Sequence, residues 1–122
     1  CQKLVDISIP SSLTVIQEGI FCNDSSLKEV IIPSSITAIR KFSFQKCSSL
    51  TKIIIPSSVT AIEDYAFSYC LSLVDVVLHL SLQYIGKFAF FKCDSLLEVK
   101  IPSSVISIGE SSFPLHTKLI RD

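Results

Sequence analysis

The chain has 122 residues, of which 48% are hydrophobic and 18% charged, so it holds ample material for a core and is not a disordered segment. Eleven basic residues balance eleven acidic ones. That argues against a nucleic-acid binder, which needs a cationic surface to release counterions from phosphate, and against a polybasic membrane anchor. Prolines and serine pairs interrupt every apolar run well before the roughly eighteen residues that a membrane helix needs.

From the N-terminus, the chain starts at Cys1 in mid-pattern, with no initiator Met and no signal peptide, which predicts a fragment or processed product of a longer protein. The first extended stretch runs from Leu4 and ends at Pro10. The same ending recurs at Pro33, Pro56 and Pro102, with His79 in the remaining place, always at intervals of 23 residues. Phe21, Phe44, Phe67, Phe90 and Phe113 keep that interval, as do Ile16, Ile39, Ile62, Ile85 and Ile108. A fixed period of this size is the mark of stacked repeats.

Each unit then reads the same way. Leu27-Lys-Glu-Val30-Ile-Ile32-Pro33 carries apolar residues at its first, fourth and sixth positions, the strand pattern of a leucine-rich repeat. Alternation turns Val30 and Ile32 to one side and Glu29 and Ile31 to the other. Pro33 cannot donate to a ladder and ends the strand, and Ser34-Ser35 makes the turn. Ile36 to Ile39 returns as a second short extended piece, and Phe44 to Cys47 turns back as a 3₁₀ or single helical turn. One coil cannot bury its apolar face alone, so copies stack. The predicted fold is a leucine-rich-repeat solenoid of about five 23-residue coils, with a parallel β-sheet on the concave face and short extended segments and tight turns on the convex side. It forms a single segment over residues 1–122, with coils opening near Leu4, Leu27, Leu50, Leu73 and Leu96 and a partial sixth from Leu119.

The run from Ile55 through Pro56, Val59, Ile62, Ala66, Phe67 and Cys70 to Leu73 resembles the BspA-like, or Treponema-type, leucine-rich repeat, and the resemblance spans the whole chain. It implies a surface-exposed or secreted protein of bacteria or parasitic protozoa, associated with adhesion to host matrix proteins or cells. The chain departs from that pattern in places. Cys22 stands two residues ahead of the cysteine column, which Asp24 occupies; Leu78-His-Leu-Ser-Leu82 replaces I-P-S-S-V in the fourth unit; only Gly86 and Gly109 keep the glycine.

Few residues are placed for chemistry. Cys47, Cys70 and Cys93 share a column without the close pairs of a metal site, and read as small buried core residues. Cys1 and Cys22 are the likelier pair to oxidise. His79 and His116 have no column-mate carboxylate or thiolate that would define a triad. The repeated serine pairs are turn residues, and three scattered glycines make no phosphate loop. Asn23-Asp24-Ser25 is an N-x-S acceptor, which matters only in a secreted eukaryotic protein. Phe42, Tyr65 and Phe88 join the phenylalanine column as a stacked spine, while Tyr69 and Phe91 fall outside it, on the convex edge. No catalytic residue, cofactor or metal is expected.

The positions that the repeat leaves free line the concave face. One stripe is charged, with Glu29, Lys52, Asp75 and Glu98 following Asp6; the other holds Ile31, Ile54 and Val77 and ends at Lys100. These eight residues are the candidate site for a protein ligand, as an apolar centre with a charged rim suits an interface. An intracellular scaffold for a signalling protein and a passive spacer are the alternatives. Uncapped terminal coils would expose strand edges, which predicts end-to-end self-association or a longer parent chain.

Overall fold

A computed structural model describes residues 6–121. Each coil supplies two short strands. The first-strand series is β1 (Asp6–Ser8), β3 (Glu29–Ile31), β5 (Lys52–Ile54), β7 (Asp75–Val77), β9 (Glu98–Ile101) and β11 (Lys118–Arg121). The second-strand series is β2 (Val15–Ile16), β4 (Ala38–Ile39), β6 (Ala61–Ile62), β8 (Tyr84–Ile85) and β10 (Ser107–Ile108). All pairings are parallel, and the sequence period becomes the register: Glu29 lies beside Asp6, Asp75 beside Lys52, and Ile39 beside Ile62. This is the predicted leucine-rich-repeat solenoid.

The strands stop where the side chains require it. The Pro33 carbonyl accepts the Ile36 N–H at 3.1 Å, and Pro56 and Pro102 repeat that turn with Val59 and Val105. His79 makes the same bond to Leu82 at 3.2 Å, so the irregular fourth unit keeps the turn without the proline. The two series pair differently. The second strands form one continuous five-stranded sheet, whereas the first strands pair two by two as β1–β3, β5–β7 and β9–β11. Seams without a strand ladder therefore separate β3 from β5 and β7 from β9.

Between the two series lies the core. Leu27, Leu50, Leu73 and Leu96 are buried, with Ile39, Ile62 and Ile85 facing them. Phe21, Phe44, Phe67, Phe90 and Phe113 stack ring on ring at 5.0–5.2 Å. Each ring thus covers the face of the next coil's ring and excludes water from it.

The turn behind these rings carries the i→i+3 hydrogen bonds expected there, Gln45 N–H to Phe42 and Cys47 N–H to Phe44 at 3.3 Å each. They do not run on into a helix, because Phe42 and Lys46 sit at φ 61° and 62°. Left-handed residues recur in register at Tyr65, Phe88 and Ser111, and at Asn23, Tyr69 and Lys92. Such a conformation costs an L-residue about 1–2 kcal/mol. It also aims alternate N–H groups along the stack. Phe21 donates to the Ser43 carbonyl at 2.8 Å, Phe44 to Ala66 at 2.8 Å, Phe67 to Ala89 at 2.7 Å and Phe90 to Ser112 at 2.7 Å. This turn ladder is a third line of coil-to-coil bonding.

Leu119 continues the 23-residue leucine spacing, yet it does not open a sixth coil in that register. It pairs with Val99, and Lys118 pairs with Glu98 only twenty residues back. Coil 5 is three residues short, because the segment between Phe113 and β11 crosses from turn to strand directly. The Thr117 N–H closes on the Pro114 carbonyl at 3.0 Å, and its hydroxyl reaches the Leu96 carbonyl at 2.6 Å.

Two substitutions separate the ring stack from incidental burial. Phe67→Ala removes a fully buried ring contacted on both faces and should cost about 3–5 kcal/mol in urea denaturation. The Ser58 hydroxyl is buried without a protein hydrogen-bond partner, so Ser58→Ala should leave stability unchanged or raise it.

Candidate functional site

The strand pattern decides which side chains the first-strand face presents. In β3 and β5 the central residues Val30 and Ile53 point inward while their neighbours point out. Glu29, Lys52, Asp75 and Glu98 are exposed along one column. Ile31 and Ile54 are exposed along the other, at 69% and 48%. Val77 continues that column half-buried, and Lys100 ends it exposed. The structure brings all eight of these residues onto one face. The backbone of Asp6 lies beside that of Glu29.

Sequence reasoning missed a third column. Val74 and Leu97 are 58% and 67% exposed, one position ahead of Asp75 and Glu98. Simple alternation fails there, since two residues must bridge the inward anchors Leu73 and Val76. The spacing of those two anchors is the signal that could have found them. With these two, the apolar surface extends across the charged column. At the seam between β7 and β9 the face sinks into a shallow depression of about 340 Å³, lined by Asp75, Val77, Leu78, Glu98 and Lys100. Carboxylates stand on both sides of the seam, so an incoming cationic side chain meets negative charge above an aliphatic floor.

The other candidates fall elsewhere. Cys47, Cys70 and Cys93 are buried thiols, each donating to the phenylalanine carbonyl of the preceding coil at 3.1 Å. Asp24, in the same column, is buried and accepts the Ser26 N–H at 3.3 Å. Cys22 is half-buried, and a bond between Cys1 and Cys22 would involve a residue outside those described. Asn23 is exposed at the turn tip at φ 61°, a conformation that asparagine tolerates well. His79 is exposed beside Ser57 and Leu80 at the end of the first-strand face. His116 is exposed and shares a cleft with Asp94 at the fifth coil. Phe42, Tyr65 and Phe88 stack at 5.0–5.1 Å, but as a separate, half-buried spine and not within the buried phenylalanine column they were expected to join. Tyr69 and Phe91 lie beside it edge to face at 5.8 Å, under Lys46 and Lys92 respectively. Among the described residues no helix is long and apolar enough to cross a membrane.

The model for the BspA type leucine rich repeat region matches residues 1–120 in six copies. A leucine-rich repeat protein of T. pallidum superposes with a TM-score of 0.90 at 32% identity, over 97% of this chain and 57% of that one. One from Bacteroides ovatus gives a TM-score of 0.87 at 28% identity, over 100% of this chain and 37% of that one. A protein of Faecalibacterium prausnitzii described as a leucine rich cell surface protein gives 0.69 at 30% identity, over 98% and 39%. The chain thus spans little more than half, or less, of these three proteins. No curated protein sequence matches it.

The thiol column has a pH signature. Loss of hydration in the core pushes Cys47 from 9.0 up to about 12 and holds Cys70 well above its ordinary value. An unfolded chain ionises both thiols near 9, while the fold keeps them neutral. Their contribution is therefore intact below pH 9 and falls as pH climbs towards 12, by at most about 1.4 kcal/mol per unit for each thiol. Denaturation at pH 8 and pH 11 should show this loss, and a Cys47→Ala, Cys70→Ala variant should show a shallower one.

Proposed function

The chain belongs to the BspA-type leucine-rich repeat family, and we propose that it is a non-catalytic adhesion module, displayed at the cell surface or secreted, that binds a host or matrix protein through its first-strand face. One observation carries this reading. Stacking accounts for the leucine, isoleucine, phenylalanine and cysteine columns, the turn serines and the prolines, and a mixed set of apolar and charged residues free of that duty lies together on the first-strand face. There Ile31, Ile54, Val74 and Leu97 are exposed beside Glu29, Lys52, Asp75 and Glu98.

That mixture is the chemistry of a protein interface. Aliphatic groups supply the desolvation energy, and charges around them set orientation and association rate. A solenoid sheet offers such groups on rigid elements, so little ordering entropy is lost on binding. The surface address is supported by the likeness to the F. prausnitzii protein described as a cell surface protein. The face is modest in area, which favours binding shared along a longer array, where repeated weak contacts gain from effective concentration.

Ile31→Asp with Ile54→Asp tests the reading. Both side chains point outward, so the melting temperature should stay within about 2 °C, as surface substitutions usually change stability by less than about 0.5 kcal/mol. Binding to immobilised extracellular-matrix proteins should weaken at least about tenfold, or 1.4 kcal/mol. A wild-type chain that binds none of them, or a variant that binds equally well, overturns the proposal in favour of a passive spacer.

A further inference from the structure

In the first three coils the backbone at the turn tip follows one rule. The tip N–H donates forward to the next coil: Asn23 to Gln45 at 2.7 Å, Lys46 to Ser68 at 2.8 Å, Tyr69 to Phe91 at 2.7 Å. Serines just beyond the tip reach back, Ser49 to the Ser25 carbonyl at 2.6 Å and Ser95 to the Leu71 carbonyl at 2.7 Å. The short fifth coil breaks this pattern. Pro114 turns its carbonyl to Thr117, so the Lys92 N–H, next in the tip series, meets no acceptor among the described residues. The Asp94 carbonyl likewise has no serine above it. Over these two groups lies a cleft of about 360 Å³, lined by Phe91, Lys92, Asp94, Phe113, Leu115 and His116. Leu115 stands fully exposed at its edge.

The geometry points to a second recognition site here, one that takes a short polypeptide turn from a protein partner. The cleft is the mould of the turn that coil 5 lacks, and coils 2 to 4 show how such a turn sits in it. The groups it offers, exposed and without a main-chain partner among the described residues, are a donor at Lys92 and an acceptor at Asp94, two positions apart. That spacing matches a backbone carbonyl followed by a hydroxyl or amide. The rings of Phe91 and Phe113 and the side chain of Leu115 form apolar walls for the side chain between them. A simple anion fits poorly, because the acidic Asp94 lines the same cleft and the Lys92 ammonium lies over the Phe91 ring. The site lies on the turn side of the coils, apart from the first-strand face, and the inference does not depend on that face binding anything.

The test uses the whole chain, ¹⁵N-labelled, and a capped peptide with the sequence of residues 90–97 carrying Cys93→Ser. Saturable amide shifts are expected at Lys92, Asp94, Phe113, Leu115 and His116, with affinity at least about tenfold above that of a scrambled peptide, or 1.4 kcal/mol. Equal shifts from the scrambled peptide, or no shifts at these residues, overturn the proposal. A variant whose fifth coil is lengthened by three residues after Pro114 fills the mould and should lose peptide binding; unchanged affinity in that folded variant also overturns it. Should the lengthened chain not fold, Leu115→Asp at the exposed rim serves instead, with the same tenfold loss expected and unchanged affinity counting against the site. The Ile31→Asp, Ile54→Asp chain should keep full peptide affinity, so failure at one surface is distinguishable from failure at the other.

Discussion

Hydrogen bonds that run from one coil to the next, and almost never close within a strand, carry this structure. A two- or three-residue strand cannot satisfy its own backbone, so outside the tight turns the N–H and C=O groups of a coil depend on a neighbour 22 to 24 residues away. That dependence sets the repeat length. One inserted residue would turn the inward leucine and isoleucine columns outward, and one misplaced coil would orphan the polar groups of two others. Stacked phenylalanines then convert a hydrogen-bonded frame into a sealed core. The thiols add a second-order term by donating to the ring-bearing residues' carbonyls.

The turn ladder shows how far this constraint extends. Bulky residues such as Phe42, Tyr65 and Phe88 adopt left-handed backbone angles, an unfavourable choice for any of them alone. In the stack each such residue frees an N–H to point at the next coil, and the three rings lie on one another. Local strain and inter-coil bonding are therefore two sides of one arrangement, repeated until Gly19 at one end and Ser111 at the other carry no ring. Only a neighbouring coil makes the strained form the better one.

Much of this was legible in the sequence, because stacking writes itself as columns. Period, strand faces, buried cysteines and the stacking of aromatic columns follow from residue type at fixed spacing, whereas the division into a buried and a half-buried spine does not. The eight outward residues follow from alternation, and Val74 and Leu97 escaped because the chain takes two outward steps before Val76. The shortened fifth coil escaped for another reason. Leu119 holds the leucine interval by coincidence, while the register is set by Pro114 and Thr117 closing a tighter turn. Left-handed angles at Phe42 or Lys46 leave no compositional mark, since glycine holds this conformation only at Gly19.

The two-by-two pairing of the first strands gives the array a mechanical character. The five second strands form an unbroken ladder, while the first-strand side is tied at alternate joints and left open between β3 and β5 and between β7 and β9. At the β3–β5 joint the Thr51 N–H donates to the Lys28 carbonyl in a long bond of 3.4 Å. A beam stitched continuously along one side and intermittently along the other bends about the stitched side. Curvature in a solenoid is the sum of small rotations between coils, so these two joints are where the sum is most easily changed. A change of curvature there would open or close the surface that carries Ile31, Ile54 and Val77.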